Sequence, residues 1–220
     1  YPRFGLNPLV AELAQQAISL EKTTLCSSWP FPNLKVAQEA QRHCQINQNG
    51  KSFIKETSGL HCLITDNLSS VPAKAFWQHT GLGASSRQAA IALNKEKTPS
   101  KNKANIARDV IRERLSNIYQ CHSNFIQLHP SGMAALTTAL GAIRKLKPKG
   151  PFLQLGFPYV DVLKLPQVIF GGSELIINTD LEKLATELIN SQPAAVIVEL
   201  PSNPMLQCVD LQQVSHLAHA

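Results

Sequence analysis

No apolar run in this sequence approaches the ~18 residues of a membrane-spanning helix, and no two cysteines stand close enough for a CxxC motif. The first absence excludes a spanning helix and the second a simple redox or zinc-knuckle signature. The five cysteines, Cys26, Cys44, Cys62, Cys121 and Cys208, are odd in number, and a chain of 220 residues is too large to need a disulfide framework. They read as reduced, mostly packed thiols of a cytoplasmic protein. No signal peptide shows, and the chain opens on Tyr1 rather than Met, so the expectation is that its true N-terminus lies further upstream. A GxxxxGK[ST] phosphate loop, a GxSxG elbow, HxxxH spacing and a Cys/His cluster are all missing, which argues against a P-loop nucleotide site, a hydrolase nucleophile and a metal centre. No internal repeat and no nucleic-acid-binding module stand out.

What is present is a chain 44% hydrophobic and 16% charged, enough to bury a real core in one large domain or two smaller ones. The net charge of +6 is concentrated in residues 95–114 and 144–149. The second group reads as a helix C-terminus, where cations suit the helix dipole. Both read as solvated surface.

Asn7-Pro8 followed by LVAELAQQAISLEK predicts a helix, with Asn as cap, Pro at the first position and apolar residues at Leu9, Leu13, Ala17 and Leu20. Ser28–Asn33, SWPFPN, reads as a turn-rich break, and LKVAQEAQRHCQ as a second helix. SFIKET and HCLITD flank Ser-Gly and predict a hairpin. Asn94–Lys103 reads as an exposed loop. NIARDVIRERLSNIY places Ile106, Val110, Ile111, Leu115 and Ile118 on one helical face. From there strands and helices alternate: FIQL, MAALTTALGAIRKL, PFLQL, an irregular stretch with FPYVDVLKLP, ELIINT, LEKLATELIN behind the cap Asp180, and AAVIVEL. Asp210 opens a last helix with Gln213 as its capping-box partner. That helix shows no stop signal before Ala220, so the chain is expected to continue. Apolar strands alternating with helices predict an α/β fold around a mainly parallel sheet.

In such a sheet ligands sit beyond the carboxyl ends of the strands. Three segments are expected there: His129–Met133, Gly156–Tyr159 and Glu199–Pro204. Ser131-Gly132 at a helix start offers a hydroxyl and free backbone N–H groups for a phosphate. Tyr159 offers a flat face to an aromatic ring, and the Asn203 amide a hydrogen bond to a phenolic oxygen. Each also has a plain reading: a strand-to-helix turn, a half-buried core tyrosine, a rigid proline turn, and for Glu199 a salt-bridge partner.

In this order SGMAAL, FPYVDVLK and VELPSNPMLQCVDLQQVSHLAHA resemble the pyridoxal-phosphate-dependent transsulfuration enzymes. These include cystathionine γ-synthases, cystathionine lyases and homoserine sulfhydrylases, all of the aspartate-aminotransferase-like fold. HTGLGASSR and PSGM look closer to the long form found in fungi and some bacteria, whose start YPRFGLNPLV also resembles. The resemblance covers Phe76 to Ala220 well and the earlier residues less well. It implies a three-layer α/β domain around a mainly parallel sheet over residues 71–220, an incomplete large domain. A small α+β region of unassigned role, residues 1–70, precedes it.

The resemblance implies that Gly132 and Met133 donate backbone N–H bonds to the phosphate of pyridoxal 5'-phosphate, with Ser131 beside them. Tyr159 would stack on the pyridine ring, Asn203 would bond its phenolic oxygen, and Glu199 would line the same pocket. Arg87 would stand where the family places a Tyr-x-Arg element that reaches the phosphate of the neighbouring subunit, with serine here in place of the tyrosine. The family's pyridinium-pairing Asp and its Schiff-base Lys come later than Ala220, so no catalytic residue is expected within these residues, and Lys164 is not in the lysine's motif. The implied reaction exchanges the γ-substituent of an activated homoserine for a thiol such as cysteine, in a homodimer or homotetramer acting on small amino-acid substrates, away from membranes and nucleic acid. The 220 residues alone are expected to lack activity. A lyase or sulfhydrylase of the same fold, a non-catalytic relative and a basic nucleic-acid-binding domain stay open as alternatives.

Overall fold

A computed structural model describes residues 5–19, 27–47 and 50–219. By internal contacts the chain divides into two compact units, Tyr1–Ala135 and Leu136–Ala220. The division falls in the first turn of a helix, and the boundary expected near residues 70–71 lies within another, Asn67–Thr80. The start of the chain, residues 1–4, lies outside the described residues.

The first unit is built on an antiparallel sheet. The helix α1 (Pro8–Ser19) begins as its sequence dictates: the Asn7 side chain accepts a hydrogen bond from the Leu9 N–H at 3.0 Å, and Pro8 occupies the position that needs no donor. Val10, Leu13, Ala14 and Ala17, at helical spacing, are its buried face. Leu9 is half-buried, and Leu20 lies outside the described residues. The helix α2 (Leu34–Asn47) buries Ala37, Ala40 and Cys44. The hairpin β2 (Ser52–Thr57) and β3 (Leu60–Thr65) forms around Ser58 and Gly59, both at positive φ (51° and 80°) as a tight two-residue turn requires. The first strand corrects the sequence reading. Ser27–Phe31, β1, which includes most of the expected break, pairs antiparallel with β3 and makes the order β1-β3-β2. Pro30 is tolerated because β1 is an edge strand, and Trp29 and Phe31 are buried from it.

Three more helices follow: α3 (Asn67–Thr80), α4 (Ser86–Ala92) and α5 (Lys101–Tyr119). Asp66 caps α3 by accepting from the Ser69 N–H at 2.8 Å and, with its other oxygen, from the Lys51 N–H at 2.7 Å. Ser85 and Gln88 form a reciprocal capping box on α4. On α5 the predicted apolar face is present but buries nothing among the described residues; Ile118 is 71% exposed. Residues 125–128, expected as a strand, pair with no strand. Ser123–Phe125 is a 3-10 turn whose Asn124 N–H donates to His122 Nδ1, and irregular chain follows from Ile126. Local side-chain bonding there competes with ladder formation.

The second unit has a parallel sheet of β4 (Phe152–Leu155), β5 (Ser173–Ile176) and β6 (Ala195–Val198), in the order β5-β4-β6. The helix α6 (Gly132–Leu146) enters it, and α7 (Val160–Ile169), α8 (Leu181–Ser191) and α9 (Leu211–His219) follow the three strands. Side chains alternate across β4. Leu153 and Leu155 pack with Ile176, Leu184 of α8 and Val214 of α9. Phe152 and Gln154 face the other way. The Phe152 ring lies 4.5 Å under the Arg144 guanidinium of α6 and 6.1 Å from the Phe170 ring, while the Gln154 amide donates to the carbonyl of Leu163 in α7 at 2.9 Å. The unit is therefore three layers, α8 and α9 on one face of the sheet, α6 and α7 on the other. Among the described residues the chain is α/β, with a parallel sheet in the second unit and an antiparallel sheet, β1-β3-β2, in the first. The segment read as irregular, FPYVDVLKLP, holds most of α7, which carries Pro166 inside it. The apolar β6 strand is half-buried along its length, because it stands at the edge of the sheet among the described residues.

Candidate functional site

The helix that follows β4 lies on one face of the parallel sheet and the helix that follows β6 lies on the other, so the chain runs away from these adjacent strands in opposite directions. A crevice opens between such strands at their carboxyl ends, which is where open α/β sheets take ligands. The loops at that point are Gly156–Tyr159 after β4 and Glu199–Gln207 after β6.

The first loop is held firmly. Gly156 has φ of +87°, and its N–H donates to the carbonyl of Ile176 at the end of β5 at 2.9 Å. Pro158 is buried, and Tyr159 is half-buried at the cap of α7, where it makes no side-chain cap bond. Its backbone N–H instead donates to Glu199 Oε2 at 2.6 Å. The sequence-predicted residues Tyr159 and Glu199 are thus brought together, 40 positions apart in the chain. Asn203 is exposed in the same loop as Glu199. Its neighbour Ser202 is 3% exposed and folds the loop: the Ser202 hydroxyl accepts from the Gln207 N–H at 2.9 Å, and its carbonyl accepts from Leu206 at 2.9 Å. Asp210 then caps α9, accepting from the N–H groups of Gln212 and Gln213 and, through its second oxygen, from the Gln213 amide at 2.9 Å. The expected partner is confirmed, although Gln213 bonds the carboxylate rather than the backbone. These bonds hold the Asp210 carboxyl below the usual carboxylate range, the Gln213 N–H first among them.

Ser131, Gly132 and Met133 belong to the first unit. They stand at the start of α6, and the segment before them has no regular secondary structure rather than being a strand end. The Ser131 hydroxyl accepts from the Ala134 N–H at 3.1 Å and keeps its own proton to donate. Helix geometry leaves the N–H groups of Gly132 and Met133 without an acceptor inside the helix. Gly132 is exposed, and a Cβ there would meet no atom within 4 Å. The first turn of α6 carries no acidic residue, whereas α7 carries buried Asp161 in its first turn and receives Glu199 from β6. Positive helix ends attract anions. The end of α7 is already supplied with carboxylates, and that of α6 is not. A phosphate suits the donor set of Ser131, Gly132 and Met133.

Sequence reasoning missed Gly81 behind this turn. It ends α3 with φ of +65°, and a Cβ on it would lie 2.7 Å from the Ser131 Oγ and 2.9 Å from the Ala134 nitrogen. The two backbones approach as closely as they do only because residue 81 has no side chain. A glycine just past a helical run, in HTGLG, is the signal that could have found it. Ser202 was also passed over; a serine inside a Pro-x-Asn-Pro turn is a common hydrogen-bonding device. Arg87 is exposed on α4 and Lys164 is exposed on α7.

Of the thiols, Cys44 and Cys62 are buried, Cys121 is half-buried and Cys208 exposed. Burial, with Asp66 nearby, pushes the Cys44 thiol up to about 11. Among the described residues no group of three or more His, Cys, Asp and Glu side chains is placed to hold a metal ion, and no helix is long and apolar enough to cross a membrane.

No protein-family model matches the chain, and no solved structure does. Among known proteins it is similar to an L-2-amino-4-chloropent-4-enoate dechlorinase/desaturase of Streptantibioticus cattleyicolor, with 25% identity over 234 residues, spanning 99% of this chain and 46% of that enzyme. Over 103 residues it is 34% identical to the cystathionine gamma-synthase of Neurospora crassa, spanning 42% of this chain and 17% of that protein. The chain therefore spans less than half the length of the curated relatives it matches, and both of those relatives are enzymes named for chemistry on amino acids or their thioethers.

Proposed function

We propose that this chain is part of a pyridoxal-phosphate-dependent enzyme acting on an amino acid that carries a leaving group on its γ-carbon. The whole protein exchanges that group for a thiol such as cysteine, as a cystathionine γ-synthase does, and works as a homodimer or homotetramer. The observation that carries the reading is the pairing of Tyr159 with Glu199 at the switch point of the parallel sheet, with Asn203 in the same loop. Its support from similarity is that the two relatives, matched over different extents of the chain, share one chemical theme. The chlorine of a 2-amino-4-chloropent-4-enoate stands on the γ-carbon, the position replaced in an activated homoserine.

When bound, pyridoxal phosphate supplies an electron sink for charge developing beside the amino-bearing carbon. The residues of this chain supply the binding. Gly132 and Met133 donate N–H groups to the phosphate and Ser131 donates its hydroxyl. The Tyr159 ring stacks on the pyridine face, and stacking with an aromatic partner adds to the apolar area buried. Asn203 donates its amide to the phenolic oxygen. Glu199 holds the loop of Tyr159, and Arg87 serves the phosphate of the neighbouring subunit. None of the lysines of residues 1–220 is given the Schiff-base role.

The similarity that runs the length of the chain favours a second reading, elimination of the γ-substituent without a thiol, as in a lyase. One experiment separates the two. The protein containing this chain is incubated with pyridoxal phosphate and O-acylhomoserine, with and without cysteine, and with 2-amino-4-chloropent-4-enoate. A thioether product by mass spectrometry supports replacement. Release of the acid or of chloride without a thioether supports elimination. Turnover of none of these removes both.

A further inference from the structure

We infer that Glu199 is the positioning residue for Tyr159, fixing the backbone from which that ring is presented; the inference rests on the pyridoxal phosphate reading above. The loop after β4 has two anchors. On the β5 side the Gly156 N–H donates to the Ile176 carbonyl at 2.9 Å, a main-chain bond that any residue with the same backbone makes. On the β6 side the anchor is a side chain, the 2.6 Å bond from the Tyr159 N–H to Glu199 Oε2. Tyr159 has no side-chain cap of its own for α7, so the first turn takes its acceptor from another strand. The Tyr159 carbonyl is committed as well, accepting from the Leu163 N–H at 2.9 Å. Both backbone groups of Tyr159 are thereby bonded, one into its helix and one across to β6, and its Cα is set.

The chemistry of the contact argues for positioning over proton transfer. An amide N–H is a donor only, and far too weak an acid to give its proton to a carboxylate, so the Glu199 oxygen that faces it serves as a hydrogen-bond acceptor. The carboxylate also lies at the positive end of α7, where a negative charge is favoured, and a charge-assisted bond of this length is stronger than a neutral one. Glutamine keeps an accepting oxygen at the same reach and loses the charge; alanine loses both. A side chain that holds a ring-bearing backbone sets how well the ring meets a flat ligand, and leaves phosphate donors elsewhere in the chain untouched.

The test is calorimetric titration of the protein containing this chain with pyridoxal phosphate and, separately, with inorganic phosphate, in wild type, E199A, E199Q, Y159L and the E199A/Y159L double variant. E199A is expected to weaken pyridoxal phosphate about tenfold, the effect of losing one charge-assisted bond. It should leave inorganic phosphate unchanged, and E199Q should recover most of the loss. In the Y159L background E199A should add less than a twofold change, because the residue it positions is gone. An E199A loss of equal size with and without the Tyr159 ring overturns the inference, as does undiminished affinity in E199A. Should E199A fail to fold, amide exchange at Tyr159 in E199Q decides: faster exchange than wild type is expected, and an unchanged rate overturns the role. Failure of the wild type to bind pyridoxal phosphate at all is a different result, and removes the proposed function.

Discussion

Two helices of this chain begin in opposite electrostatic conditions. The start of α7 is supplied with carboxylates, Asp161 in its own first turn and Glu199 from β6, and the Tyr159 N–H is spoken for. The start of α6 has a serine cap, a glycine with open space beside it and no acid in its first turn. Every helix start presents the same surplus of N–H groups. What differs is whether the protein satisfies them itself. Where it does, the loop is tied across to a neighbouring strand, as at Tyr159; where it does not, the first N–H groups are left with no acceptor inside the helix.

The most direct way to break this contrast is to give α6 the carboxylate it lacks. Gly132→Asp introduces a side chain into open space, so the fold is expected to survive. A carboxylate near the bound phosphate is expected to weaken pyridoxal phosphate at least tenfold, since unit charges ~4 Å apart repel by a few kcal/mol even at an effective dielectric of about 20. Titration calorimetry reads it, and unchanged affinity would place the phosphate elsewhere. A smaller effect is expected from Ser131→Ala, which removes the cap and one donor. The loss of a serine N-cap costs about 1 kcal/mol, read as a shift in the urea midpoint. The same substitution should not quicken amide exchange at α7, whose first N–H is bonded from β6.

The smallest effect concerns acid. Asp66 and Asp210 cap α3 and α9, and both carboxyls are held below the usual carboxylate range. For Asp66 the main cause is the N–H of Lys51, then that of Ser69; for Asp210 it is the N–H of Gln213. A carboxyl whose folded pKa is depressed adds stability above its unfolded pKa, and the contribution is lost as pH falls through the folded value. Amide exchange in the first turns of α3 and α9 should therefore quicken as pH falls below 3.8, after correction for the intrinsic rate. The start of α6, with no carboxylate, should show no such change, and equal quickening there would erase the distinction.

Much of the second unit was legible because its signals are local. Asp180 and Asp210 cap the helices they precede, and α8 and α9 present apolar stripes that reach one core with Leu153 and Leu155. The hairpin was legible because Ser58-Gly59 dictates its turn. The misreadings share one cause, a dependence on what lies alongside. Ser27–Phe31 looks like a break because of its proline, and is a strand because β3 offers it an edge. Phe125–Leu128 looks like a strand and pairs with none. Prolines made α7 look irregular, yet Pro158 lies before the helix and Pro166 sits inside it.

By itself the sequence determined the caps, the turn glycines, the strand-and-helix alternation and the order of the candidate loops, since these follow from the φ, ψ and hydrogen-bonding habits of neighbouring residues. Tertiary structure alone decided that Glu199 meets the Tyr159 amide across 40 positions, that Gly81 backs directly onto Ser131, and that one helix start is filled while another is open. Those depend on which strand lies beside which, and strand order is set by the packing of whole faces rather than by any short stretch of chain.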